Sequence, residues 1–224
     1  MRQMVRLFGS LMFAAVIACG GFATVAAAET PDKTIGLDDR LTPRSLGRDD
    51  APVTLVEFSS LTCPHCASFH SETLPKIKDA YVTPGKVRYV YHDFPLDNLA
   101  MAAAMLSRCV DRERYFGFME TLFANQARWA GSRSPVQDLE KLSRLAGMSK
   151  ETFDACLADQ ELLDGIRSAA QEAAEEYDID STPTFLVNGD KITGAVDFAT
   201  MQQRIDAALE ASGASGAAGR GVAD

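Results

Sequence analysis

The chain has 224 residues, 22 Lys and Arg against 31 Asp and Glu, and a formal net charge of −9. That length supports one domain with a good core, or one domain carrying an insertion. The acidic balance argues against nucleic acid as a partner, because phosphate binding needs a basic face.

Arg2 and Arg6 precede an uncharged run from Leu7 to Ala28 that ends in three alanines. This pattern reads as a secretory signal peptide cut after Ala28. A retained membrane anchor and a lipoprotein box, Val16-Ile17-Ala18-Cys19, are the alternatives. Cleavage would remove two arginines and no acid, taking the charge from −9 to −11. It would also remove Cys19 and leave Cys63, Cys66, Cys109 and Cys156. Four cysteines in an oxidising compartment suggest two pairs. Cys63 with Cys66 is the first, and Cys109 with Cys156 would be a structural second. That second bridge would close a loop of nearly fifty residues and add on the order of 4 kcal/mol. The other reading of Cys109 and Cys156 is two free thiols buried in helices.

Residues 29–50 form a polar N-terminal extension with a short strand near Thr34–Leu37. Val53–Phe58 is a continuous, mostly apolar run, suited to a strand covered on both faces. A helix begins at Pro64, where a first-turn proline is well tolerated, and continues through Phe69, Leu74 and Ile77, kinked at Pro75. Val87–Tyr91 is a second strand, completing a βαβ unit. From 96 to 177 the pattern is helical, with candidate helices Asn98–Val110, Arg112–Asn125, Pro135–Leu145, Lys150–Ala158 and Glu161–Glu176. Strand character returns at Thr184–Val187. A tight turn at Asn188-Gly189-Asp190 leads to a partner strand, Lys191–Thr193, and to a last helix, Phe198–Leu209. The Ala/Gly/Ser-rich tail, 211–224, reads as disordered.

The tetrad Cys63-Pro64-His65-Cys66 follows the first strand directly. Two thiols with two residues between them can close a small disulfide ring and pass it on. Cys63 falls at the amino end of the helix, where unpaired N–H groups and the helix dipole favour an anion. His65 adds a donor or a charge, and Pro64 stiffens the turn. The thiolate is both attacking species and leaving group, and each pKa unit is worth about 1.4 kcal/mol. A stabilised Cys63 thiolate therefore stabilises the reduced protein and makes its disulfide an oxidant. Cys66, one turn inward, takes the resolving role. A fixed disulfide staple and a structural zinc site are the competing readings; zinc needs four ligands, and only His65, His70 and His92 could join the two cysteines. No metal and no cofactor is expected. His70 reads as a surface or packing residue, His92 as structural, and Trp129 as a cap of the helical block or part of a substrate surface.

The order βαβ, helical block, ββα is the α/β thioredoxin-like arrangement, split into 51–95 and 178–210 by a helical subdomain at 96–177. Over roughly 45–210 the chain resembles the DsbA-like thiol:disulfide oxidoreductases of the bacterial envelope. The resemblance rests on the tetrad, Glu57 six positions earlier, the Tyr91-His92-Asp93-Phe94-Pro95-Leu96 segment, the helical insertion and Ser181-Thr182-Pro183-Thr184-Phe185. It implies that Glu57 is a buried carboxylate handling the proton of the inner thiol. It implies a cis bond before Pro183, with Thr182 offering its backbone to an extended substrate. Thr182 departs from the valine of dedicated oxidases and also occurs in isomerases. The implied protein is a monomeric periplasmic dithiol oxidase. It would act on reduced or unfolded exported polypeptides and be reoxidised by a DsbB-type membrane partner. A disulfide isomerase or reductase kept reduced is the alternative, followed by a non-catalytic envelope chaperone or metal-stress binding protein.

Overall fold

The computed structural model describes residues 36–218, with side chains through 213. The signal-peptide, anchor and lipoprotein readings of 1–28, with Cys19, lie outside the described residues. So do Thr34 and 219–224.

Five strands form one sheet. They are β1 (Arg44–Leu46), β2 (Val53–Ser59), β3 (Val87–Asp93), β4 (Thr184–Val187) and β5 (Asp190–Thr193), in the spatial order β1-β3-β2-β4-β5. Only β2 and β3 run parallel; the other neighbours are antiparallel. The register aligns Arg44, Tyr91, Glu57, Phe185 and Ile192 in one row across the sheet. Because side chains alternate along a strand, that row shares a face. The Glu57 carboxyl group therefore sits between the Tyr91 and Phe185 rings in the middle of the row, with Arg44 at its β1 edge.

The β4–β5 hairpin turns on Asn188 and Gly189, with φ of 47° and 97°. Two consecutive positive φ values are what a two-residue hairpin loop needs to match strand twist, and Asn-Gly supplies them at least cost. The Asn188 side chain also accepts from the Thr54 N–H at 2.8 Å, tying the turn to β2.

The helices are α1 (Leu37–Leu41), α2 (Pro64–Ser68), α3 (Leu74–Ile77), α4 (Asn98–Cys109), α5 (Tyr115–Ala124), α6 (Gln126–Ala130), α7 (Pro135–Leu145), α8 (Lys150–Leu157), α9 (Gln160–Tyr177) and α10 (Phe198–Ala218). Between β2 and β3 the chain stays helical from 64 to 82, but wide π turns occupy Phe69–Thr73 and Lys78–Val82. Pro75 lacks an N–H, and its ring crowds the preceding turn. The widened turn just before it, where the Leu74 N–H reaches back to Phe69, accommodates the proline without a break.

Four boundaries differ from the sequence reading. Of the short strand expected near Thr34–Leu37, Thr34 and Ile35 lie outside the described residues, and Leu37 opens α1 instead. The extension contributes an edge strand, β1, whose Arg44 is 1 % exposed and packs its guanidinium over Tyr115. The expected helix 112–125 is a 3-10 turn, Arg112–Arg114, followed by α5, and the extra helix α6 comes after it. The last helix does not stop at Leu209; it runs to Ala218, so 211–218 is helical rather than the disordered tail expected from composition. Alanine is the best helix former, and the Ser212 hydroxyl donates back to the Ala208 carbonyl at 2.8 Å.

One hydrophobic core joins sheet and insertion. Leu55, Tyr89 and Phe185 from the sheet, Phe69 and Ile77 from the helix after the tetrad, and Tyr115, Leu122, Trp129, Leu139 and Phe153 from the insertion belong to the same cluster. A smaller cluster of Phe58, Ala173, Ile179 and Leu186 includes residues of the other face of β2 and β4. The junction between β3 and α4 is polar and tight. The Arg108 guanidinium donates to Asp93 at 2.7 Å and to the carbonyls of Arg40 and Thr42 at 3.1 and 2.8 Å. Burial is the largest influence and works against that charge, but Asp93 together with Tyr115 and Tyr91 outweighs it and holds the guanidinium proton firmly.

Candidate active site

Cys63 is the residue before the first turn of α2, with extended backbone angles (φ −78°, ψ 119°) and Pro64 at the first helical position. The loop behind it closes through Cys63 N–H to the Ser60 carbonyl at 3.0 Å. From the insertion, Gln126 Nε2 donates to the carbonyls of Leu61 and Cys63, both at 2.9 Å. On the other side, Cys63 Sγ lies 3.3 Å from the Thr182 carbonyl oxygen. Thr182–Pro183 is a cis peptide bond, and Pro183 opens onto β4. The sheet thus brings together the tetrad and the Thr-Pro pair, 119 residues apart. The loop is also tied to α4, because the Thr62 hydroxyl donates to the α4 capping carboxylate of Asp97 at 2.6 Å.

Cys63 and Cys66 are both free thiols, 7 % and 0 % exposed. Their environments drive them apart. The Cys63 thiol is pushed down to about 5, first by the hydrogen bond it accepts from the Cys66 thiol. Burial opposes this, while the side chain of Thr182 and the backbone N–H groups of Cys66 and His65 add to it. The Cys66 thiol is pushed up, first by burial, then by its bond to Cys63, then by the charge of Glu57. One sulfur is therefore an anion at neutral pH, and its neighbour is the thiol that stabilises it.

Pro64 and His65 are exposed on the first turn. The main-chain N–H of His65 supports the Cys63 thiolate.

Glu57 is fully buried on β2. The Tyr89 hydroxyl donates to Oε2 at 2.5 Å, and His70 Nε2 stands 3.2 Å from Oε1. Burial, then the Glu57 charge, pushes the Tyr89 hydroxyl well above its ordinary value, so it remains a donor. His70, expected at the surface or in packing, stands in the wide turn after α2 as the carboxylate's second partner. The signal was in the spacing. Cys66 and His70 are four residues apart and so share a helix face, and Cys66 points inward.

Gln126 was also missed, and nothing in its local sequence marks it. The other residues fall outside the site. Trp129 is 1 % exposed and its indole N–H donates to the Leu122 carbonyl, so it is core and not a substrate surface. The His92 ring leans on Phe58, and burial pushes its proton affinity down. Met105 is buried in α4. Cys109 and Cys156 form a disulfide, S–S 2.07 Å, between α4 and α8. Among the described residues no group of three His, Cys, Asp or Glu side chains could hold a metal ion.

The arrangement offers a nucleophilic sulfur, a resolving thiol three residues on, and a buried carboxylate whose charge reaches that thiol. Comparison with known proteins agrees with this chemistry. A thioredoxin family profile matches residues 39–207. The crystal structure of Wolbachia pipientis alpha-DsbA1 superposes with a TM-score of 0.73 at 29 % identity, covering 78 % of this chain and 94 % of that one. A Rickettsia conorii protein named as a protein-disulfide oxidoreductase is 31 % identical over 74 % of this chain. Disulfide bond formation protein D of Bacillus subtilis is 29 % identical over 74 % of this chain and 76 % of its own length. The chain spans 60 % of the length of the R. conorii relative and 64 % of a similar protein from Rickettsia bellii. With the family profile covering most of the described residues and the tetrad, the Thr-Pro pair and the helical insertion all in place, this chain belongs to the DsbA-like proteins of the thioredoxin superfamily.

Proposed function

We propose that this chain is a protein-disulfide oxidoreductase that donates a Cys63–Cys66 disulfide to reduced exported polypeptides. In the oxidised form, a substrate thiolate attacks Cys63 Sγ. The Cys63–Cys66 bond breaks and Cys66 leaves as a thiolate, which takes up a proton. The substrate's second thiolate then attacks its own sulfur in the mixed disulfide, and Cys63 leaves as the stabilised thiolate. Two electrons have moved from the substrate dithiol to the cysteine pair. A membrane partner of the DsbB type would return the pair to its oxidised form.

The observation that carries this reading is the Cys63 thiol lowered to about 5. At pH 7 that thiolate lies two pH units above its midpoint. At about 1.4 kcal/mol per unit, it favours the reduced protein by on the order of 3 kcal/mol. A disulfide whose reduced form is stabilised in this way tends to oxidise its partners. The uncharged run after Arg2 and Arg6 supports export and a periplasmic site of action. Among the described residues no helix is long and apolar enough to cross a membrane.

The test is to mix the oxidised protein with a reduced dithiol peptide and to equilibrate it against glutathione. Rapid peptide oxidation and a potential well above that of glutathione are expected. A pair that stays oxidised in the presence of the peptide would overturn the reading. A second reading, a disulfide isomerase or reductase kept reduced, is favoured by one observation, Thr182 before the cis proline beside Cys63. Mostly reduced cysteines in cells would select it.

A further inference from the structure

We infer that His70 is a positioning residue for the inner thiol: it holds the Glu57 carboxylate as the proton acceptor for Cys66. The inference rests on the exchange reading above and extends it to a residue that the cysteine chemistry alone does not require.

His70 follows Cys66 by four residues and its side chain is 3 % exposed. Nε2 lies 3.2 Å from each carboxylate oxygen of Glu57. The ring is held on three sides. Phe123 of α5 stacks on it at 4.0 Å between centroids, and Phe69 and Tyr91 meet it edge-on at 5.8 and 5.9 Å. Nδ1 is buried with no hydrogen-bond partner among the described residues. That last fact selects the tautomer. A proton on Nδ1 would be a buried donor facing no acceptor and would turn a lone pair of Nε2 toward the carboxylate. A proton on Nε2 leaves only a bare acceptor at Nδ1 and donates to Glu57. Buried donors without partners are the rarer and costlier outcome.

Glu57 thus receives two donors, Tyr89 from β3 and His70 from the turn after α2, which together fix the orientation of its carboxyl group. The ionisable groups around His70 are Glu57 on β2, Tyr89 and Tyr91 on β3 and Cys66 on α2; α5 presents the Phe123 ring. Glu57 is the only carboxylate among them, and its charge acts on Cys66.

The step it serves is closure of the internal bond. Cys66 gives its proton to the Glu57 carboxylate. Cys66 Sγ then bonds to Cys63 Sγ in a mixed disulfide, and the partner's sulfur departs as a thiolate. Without His70 the carboxylate keeps the Tyr89 donor alone and loses the contact that fixes how it faces its surroundings. Removal of the His70 donor therefore slows Cys66 while leaving the Cys63 thiolate untouched.

The experiment uses the full chain carrying glutathione on Cys63 and reads glutathione release, which needs Cys66. His70→Leu removes the donor and is expected to slow release about tenfold or more. His70→Gln restores an N–H near the Nε2 position and is expected to recover most of the rate. Glu57→Gln is expected to be slow alone and no slower when combined with His70→Leu. The thiolate absorbance of Cys63 should keep its midpoint near 5 in every variant. A merely structural role would slow His70→Gln as much as His70→Leu, or make the two losses multiply; either result overturns the inference. So does wild-type release from His70→Leu. If the wild-type chain itself neither releases glutathione nor oxidises a dithiol peptide, the exchange reading fails first.

Discussion

Cys63 and Cys66 stand three residues apart where a helix begins; Cys109 and Cys156 stand 47 apart and bridge α4 to α8. The side chains are the same, and what surrounds them differs. At the first pair, donors gather on one sulfur while burial and a carboxylate weigh on the other, so the two proton affinities separate. At the second pair the bond ties two helices that already pack in one core. Reactivity in this chain comes from asymmetry between two sulfurs. A bridge without that asymmetry acts on the unfolded chain, by restricting it.

The sharpest way to break the comparison is to exchange the roles. Cys63→Ser should reduce peptide oxidation to background, while the Cys109→Ala, Cys156→Ala double variant keeps it; loss of exchange in the double variant would erase the distinction. The same double variant should lose about 4 kcal/mol in urea unfolding, the loop-closure value for a bridge of this span, and a change below about 1 kcal/mol would show that the reduced chain is constrained by other means.

Proton linkage sharpens the contrast further. The Cys63 thiol is depressed in the folded state, so its contribution to the reduced protein is full above the ordinary thiol range and disappears as pH falls through about 5. Between pH 7 and pH 4 the reduced form should lose on the order of 3 kcal/mol relative to the oxidised form, whose paired sulfurs do not titrate. Parallel urea curves for the two forms at each pH measure it, and equal slopes with pH would refute it. The smallest effect lies at the helix carrying Cys156. Ser149 caps α8 by accepting from the Thr152 N–H at 3.1 Å. Ser149→Ala should cost about 1 kcal/mol in thermal unfolding and leave the Cys63 thiolate absorbance unchanged.

Much of this was legible in sequence because the signals were local. A continuous apolar run marked β2, β-branched and aromatic residues marked β3 and β4, and Asn188-Gly189 marked the hairpin. Proline after the first cysteine marked the start of α2. What escaped depends on contacts distant in sequence. β1 is three residues long, too short to show a period, and exists because it pairs with β3. α6 is one turn long, and its Gln126 matters only because the fold carries it to a loop more than sixty residues earlier. His70 lies between the two cases. Its spacing from Cys66 was readable, but its partner Glu57 lies on another element.

The grip of Gln126 on the Leu61 and Cys63 carbonyls has a practical consequence. The nucleophile's backbone is held in part by a helix of the insertion, and not only by the turn of its own loop onto Ser60. A compact version of this protein, trimmed to sheet and flanking helices, would leave those two carbonyls without their shared donor and would free the loop that aims the sulfur. Conversely, any change that displaced α6 would loosen the loop carrying the reactive cysteine without touching Thr182–Pro183.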